Sequence, residues 1–236
     1  MAAKQRYRPR QILATALFLS LALSVVFSAV RLIQAPAEQP ETGGHVKVKS
    51  DYLLMLTQCV LGLVVMSLPS AIARRWRLDI PHFIYILYYV FLYCAVFLGE
   101  VFSFYYLVPH WDSILHFFSG AMLASLGFIL VDLLNREERV RVQLSPLFVS
   151  LFAFCFALAA GAVWEIYEYT CDTALRLNMQ KYQTEAGVAL VGRAALRDTM
   201  KDIILDALAA LLVAAIGYFG IRKKRRNSLT ITKEAS

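Results

Sequence analysis

Charge is what this sequence has least of. Only 17% of its 236 residues are Asp, Glu, Lys or Arg, against 59% hydrophobic, whereas a water-soluble domain carries ~25% charged and ~45–50% apolar residues. With a mean hydropathy of +0.57, the chain is too apolar for water. Once its apolar runs are set aside, no stretch remains for a sizeable soluble domain, a Rossmann unit or a P-loop module. Cysteine is sparse as well: the 4 cysteines include no C-x-x-C, so neither a zinc clip nor a redox pair is signalled. Cys59, Cys94 and Cys155 fall inside apolar stretches and Cys171 follows one, which reads as small apolar packing. G-x-S-x-G and H-E-x-x-H are also missing, and with them the signatures of a nucleophile elbow and of a zincin helix. No internal repeat or low-complexity segment is present.

What the sequence has in quantity is long apolar runs. They span about 11–30, 52–73, 81–101, 113–134, 146–169 and 198–221, each long enough to cross a hydrocarbon core of ~30 Å as a helix. No period-two alternation competes over such lengths. The fold class that follows is an all-α polytopic membrane protein with six transmembrane helices, forming one integral membrane domain over 1–236 with a basic tail at 222–236. The first run has an apolar core of ~20 residues, longer than the roughly 7–15 of a secretory signal, and is read as a retained span.

The connecting segments predict orientation. Most of the 24 basic residues stand in alternate connections: Lys4, Arg6, Arg8 and Arg10; Arg74, Arg75 and Arg77; Arg136, Arg139 and Arg141; then Arg222, Lys223, Lys224, Arg225, Arg226 and Lys233. The segment between the third and fourth runs has no Lys or Arg. By the positive-inside rule both termini are cytoplasmic. Because the charges punctuate helix ends, the net charge of +7 is read as stop-transfer and orientation signals and not as nucleic-acid binding; the alternative for the C-terminal cluster is contact with anionic lipid headgroups. His45, His82 and His110 have no partnered spacing, and tyrosines such as Tyr105, Tyr106, Tyr167 and Tyr169 suit an aromatic belt.

Ionisable groups inside spans are expensive and mark function, and here they gather at the predicted outer ends of the last three runs. Asp112 and His116 stand four apart and share a helix face. Glu165, Glu168 and Asp172 fall within a stripe of about 60°, and Asp198, Asp202 and Asp206 within about 80°. Lipid cannot solvate these groups, so the stripes are expected to face an interior. Carboxylates facing one another repel unless protons or cations intervene. Oxygen donors with one imidazole suit a divalent metal ion, making all eight residues candidate ligands. Gly161, one turn before Glu165, would admit a close neighbour. The ordinary alternative for Asp112, Asp172 and Asp198 is a solvated helix flank or N-cap.

The same residues carry a resemblance. Trp111-Asp112-Ser113-Ile114-Leu115-His116-Phe117-Phe118-Ser119-Gly120, Trp164-Glu165-Ile166-Tyr167-Glu168 with Asp172, Asn178-Met179-Gln180, and Asp198-Thr199-Met200-Lys201-Asp202 with Asp206 resemble the YjdF-type family of bacterial inner-membrane proteins over about residues 50–220. The family's Gly-Ala after the last Asp is Ala209-Ala210 here. A fainter similarity is to VanZ-like envelope proteins. The resemblance implies a bacterial cytoplasmic membrane and no reaction. Three readings stay open: an envelope protein whose cation site binds a lipid or lipid-linked ligand; a metal-dependent hydrolase or transferase with His116 or Glu165 moving the proton; and a cation- or proton-coupled transporter. Against the last, the inner halves of the runs are nearly free of polar residues and no inverted repeat is seen.

Overall fold

The computed structural model describes residues 2–37, 46–75, 80–136, 144–184 and 188–234. Of the residues weighed above, His45, Arg77, Arg139 and Arg141 lie outside them. The described chain is almost wholly helical: α1 (Ala2–Gln34), α2 (Lys49–Val65), α3 (Leu68–Arg75), α4 (His82–Leu92), a π-helical stretch Tyr93–Val101, α5 (Phe104–Leu107), α6 (Trp111–Arg136), α7 (Pro146–Leu175), a 3₁₀ turn Gly192–Ala194 and α8 (Arg197–Glu234). Six segments are long and apolar enough to cross a membrane: Pro9–Gln34, Lys49–Arg75, His82–Val101, Trp111–Leu134, Pro146–Leu175 and Arg197–Asn227. Each contains one of the six apolar runs apart from a residue at an end. Large apolar side chains such as Leu23, Ile33, Ile166, Leu208 and Ile216 are exposed along these helices, as expected where the solvent is hydrocarbon rather than water.

Two spans are less regular than their sequence suggests. The second is interrupted between α2 and α3, where Pro69 has no N–H to offer the carbonyl four residues back. That carbonyl, on Val65, accepts instead from the Tyr88 hydroxyl at 2.8 Å. The third changes from α to π geometry at Tyr93, and Phe102 N donates to Phe97 O at 3.1 Å, five residues back. Within this wider ladder the Cys94 carbonyl also accepts from Trp111 Nε1 at 3.3 Å. The sixth span continues without a break into the segment expected as a tail, as one helix ending at Glu234.

The chain divides into two compact units, 1–115 with 172–178 and 183–188, and 116–171 with 179–182 and 189–236. In the first, α1, α2, α4 and the π-helical stretch enclose a core of Leu17, Leu21, Met55, Cys59, Tyr85, Tyr89, Leu92 and Val96. Its α2 begins with a reciprocal turn: Val48 N donates to Asp51 Oδ2 at 2.8 Å while Asp51 N donates to Val48 O at 3.1 Å, satisfying two helix-end groups. The Arg10 guanidinium lies 3.5 Å over the Tyr85 ring and donates to Ser70 Oγ at 3.1 Å.

In the second unit α6, α7 and α8 meet through alanines. Ala124, Ala157 and Ala210 are fully buried together, as is Ala209, and a β-carbon on Gly127 would stand 2.8 Å from Ala153 Cα. Small residues let backbones approach closely where dispersion, not water exclusion, drives helix association. This three-helix packing fixes the depth and facing of the polar side chains one to three turns away.

Candidate functional site

The second unit buries four ionisable side chains that the sequence singled out: His116 on α6, Glu165 on α7, and Asp202 and Asp206 on α8, with exposures of 8%, 4%, 2% and 1%. Their spacing does the placing. Asp202 and Asp206 are one turn apart on α8 and so share its face, while Gly120 and Gly161 leave room for Asp206. A β-carbon on Gly120 would lie 2.8 Å from the Asp206 carbonyl oxygen and 2.9 Å from its Cα; one on Gly161 would collide with Oδ2 of the same aspartate. Gly161 was expected to admit a neighbouring helix. What fills its space is a carboxylate.

Asp206 Oδ2 lies 3.4 Å from His116 Nδ1, at the long end of hydrogen-bonding distance, and its Oδ1 accepts from Ser119 Oγ at 3.3 Å. The single Ser119 hydroxyl hydrogen is shared with the His116 carbonyl, 2.9 Å away. One ligand atom each from Asp112, His116 and Asp202 also lie within 4.8 Å of one another. Asp112 is carried there by α6 itself, one turn ahead of His116 on an uninterrupted helix. Such a trio of two carboxylates and an imidazole matches the donor chemistry of a divalent cation, which would also offset the cost of holding like charges together away from water.

Glu165 is the most exacting of the four. Both its carboxylate oxygens are buried with no donor in hydrogen-bonding geometry, although His116, Thr199 and Gln180 stand nearby. Gln180 Nε2 instead donates to Thr199 Oγ1 at 2.9 Å and to the Glu165 main-chain carbonyl at 3.4 Å. A buried acceptor left without a donor costs about 1–3 kcal/mol, a cost that these three neighbours reduce.

The remaining candidates are placed differently. Asp198 is held by Lys181, whose Nζ lies 3.0 Å from each of its carboxylate oxygens, so it serves the segment before α8. Glu168 is half-buried, and Asp172, buried at 6%, belongs to the first unit; neither is part of the converging group. Ser119, Gln180, Lys181 and Thr199 were given no role from sequence, because neutral or lone polar residues carry no spacing signal of their own. Ser119, three residues after His116, and Thr199, three before Asp202, share a helix face with those residues and were within reach of that reasoning.

The chain matches the family described as predicted membrane protein (DUF2238) over residues 13–223. It belongs to that family. A Thermotoga maritima relative, described as an uncharacterized protein, is 31% identical over 135 residues, covering 57% of this chain and 59% of its own length. No solved structure matches. The DUF2238 family and six spans together make this a multi-pass membrane protein.

Proposed function

We propose that this DUF2238 protein sits in the bacterial inner membrane and holds a divalent cation between Asp112, His116 and Asp202, using it to bind an envelope lipid or lipid-linked ligand near the outer face. We further read the chain as YjdF-type, with both termini cytoplasmic, which puts this site toward the extracytoplasmic side. The observation that supports the cation is the trio of donor atoms within 4.8 Å of one another, from half-buried Asp112 and buried His116 and Asp202; a Lewis-acidic ion there would polarise a phosphoryl or acyl oxygen presented from the headgroup layer. The unpartnered carboxylate of Glu165 favours a second reading, a metal-dependent hydrolase or transferase in which Glu165 takes or gives the proton.

The test is metal content of the full chain purified in detergent. A single Mn²⁺ or Zn²⁺ per chain is expected after dialysis, lost in His116→Ala and weakened at least about tenfold in Asp202→Asn, since metal affinity depends on deprotonated ligands in a preformed site. Absence of any bound divalent ion in the native chain, with both variants melting like it, overturns the reading. Turnover of envelope lipids by native protein, abolished in Glu165→Gln while metal is retained, would select the enzyme.

A further inference from the structure

We infer that Asp206 is a positioning residue and not a cation ligand: it holds His116 by Nδ1 so that Nε2 is the nitrogen turned toward the cation, and Gly120 and Gly161 exist to admit it. The inference rests on the cation reading above. Its grounds are separate.

Asp206 is the most buried of the four ionisable groups, at 1% exposure, and both its oxygens are already spoken for within the second unit, Oδ2 by His116 and Oδ1 by Ser119. It is absent from the trio of converging ligand atoms. A histidine has two ring nitrogens, and which one is left as the acceptor is set by the hydrogen bond the other makes. With Nδ1–H donated to Asp206, the neutral tautomer presents a lone pair at Nε2, the form a cation needs; carboxylates that orient metal-binding histidines in this way are worth about 10–100-fold in affinity. Ser119 then does for Asp206 what Asp206 does for His116: it accounts for the second oxygen and fixes the carboxylate's rotation.

The glycines make the arrangement specific. At Gly120 any side chain meets the α8 backbone at Asp206, within 2.9 Å of Cα, so that glycine sets how near α8 comes to His116. At Gly161 it meets the carboxylate itself, with the Asp206 Cγ only 3.1 Å from a β-carbon. One glycine therefore places the main chain of Asp206 and the other its side chain. By contrast, a β-carbon on Gly220 of the same helix meets nothing within 4 Å.

The experiment titrates Co²⁺, as the metal alone, into detergent-purified native protein and five variants, His116→Ala among them, reading affinity by calorimetry and the ligand field by visible absorption. Asp206→Asn is expected to bind a single Co²⁺ about 10–100-fold more weakly, with a shifted absorption band because the imidazole has lost its anionic partner. Gly161→Ala should move in the same direction by displacing the carboxylate, Asp206→Glu should recover part of the native band, and Gly220→Ala should bind as native does. Native affinity in both Asp206→Asn and Gly161→Ala overturns the inference, and so does complete loss of Co²⁺ in Asp206→Asn to the level of His116→Ala, which would make Asp206 a ligand. Should Asp206→Asn fail to fold, Gly161→Ala decides alone. A native chain that takes up no Co²⁺ gives a blank in every sample, a result distinct from both, and brings down the cation reading together with this one.

Discussion

Single residues in this protein divide into those whose role follows from charge and spacing and those whose role depends on what stands opposite. The i, i+4 relation of Asp112 to His116 and of Asp202 to Asp206 could be read directly, because helical periodicity converts spacing into facing. The fate of Asp198 could not, since it depends on Lys181 arriving from a non-helical segment to grip both oxygens at 3.0 Å. That pair is partly exposed, so Lys181→Met is expected to lower stability by less than about 1 kcal/mol, measured as a small drop in the detergent melting midpoint with metal content unchanged. Lys47 gives a pH signature. Burial pushes its ammonium below the ordinary lysine range, against the opposing pull of Glu100 and Asp51. The unfolded chain then holds that proton more tightly than the native one, so stability rises as pH climbs from the lowered native value toward 10.5. Lys47→Met should flatten this rise in melting curves taken across the alkaline range.

Among elements, the six spans were legible because twenty apolar residues in a row admit little but a membrane helix. Their irregularities were not. Pro69 announces a lost donor, but nothing local reveals that Tyr88, 23 residues away, supplies the replacement at 2.8 Å. Tyr88→Phe should therefore leave the Val65 carbonyl unsatisfied and destabilise by about 1–3 kcal/mol. Pro69→Ala in the same chain restores a main-chain donor and should return much of that loss, so the double-mutant cycle is expected to show coupling, read by denaturant or thermal unfolding in detergent. The π-helical geometry of Tyr93–Val101 was equally hidden, since an α-helix and a π-helix share the same apolar composition and their periods diverge too little over nine residues to mark the sequence. Close packing in the second unit was foreshadowed only by small residues. Gly127→Leu should push α6 from α7 at Ala153 and cost at least about 1–3 kcal/mol, more than the same change at Gly220.

At the scale of the whole molecule, the sequence states the environment and the number of crossings, and its basic residues predict sidedness. A reporter active only in the cytoplasm should function when fused after Ser236, and a periplasm-dependent one should function when placed in the 176–196 segment; the reverse pattern would invert the proposed orientation. What composition could not convey is how the chain partitions into two compact units, because the chain passes between them inside the continuous helices α6 and α7 as well as in the segment before α8, and leaves no linker signature.

The length of α8 has a mechanical consequence. At 38 residues and ~1.5 Å each it measures ~57 Å, nearly twice the ~30 Å hydrocarbon thickness. Since Asp202 and Asp206 lie in its first turns, any torque applied to the protruding rod is delivered to the imidazole's neighbours through an unhinged lever, and a dye attached near residue 230 would report tilting at the far end as a change in distance to the bilayer.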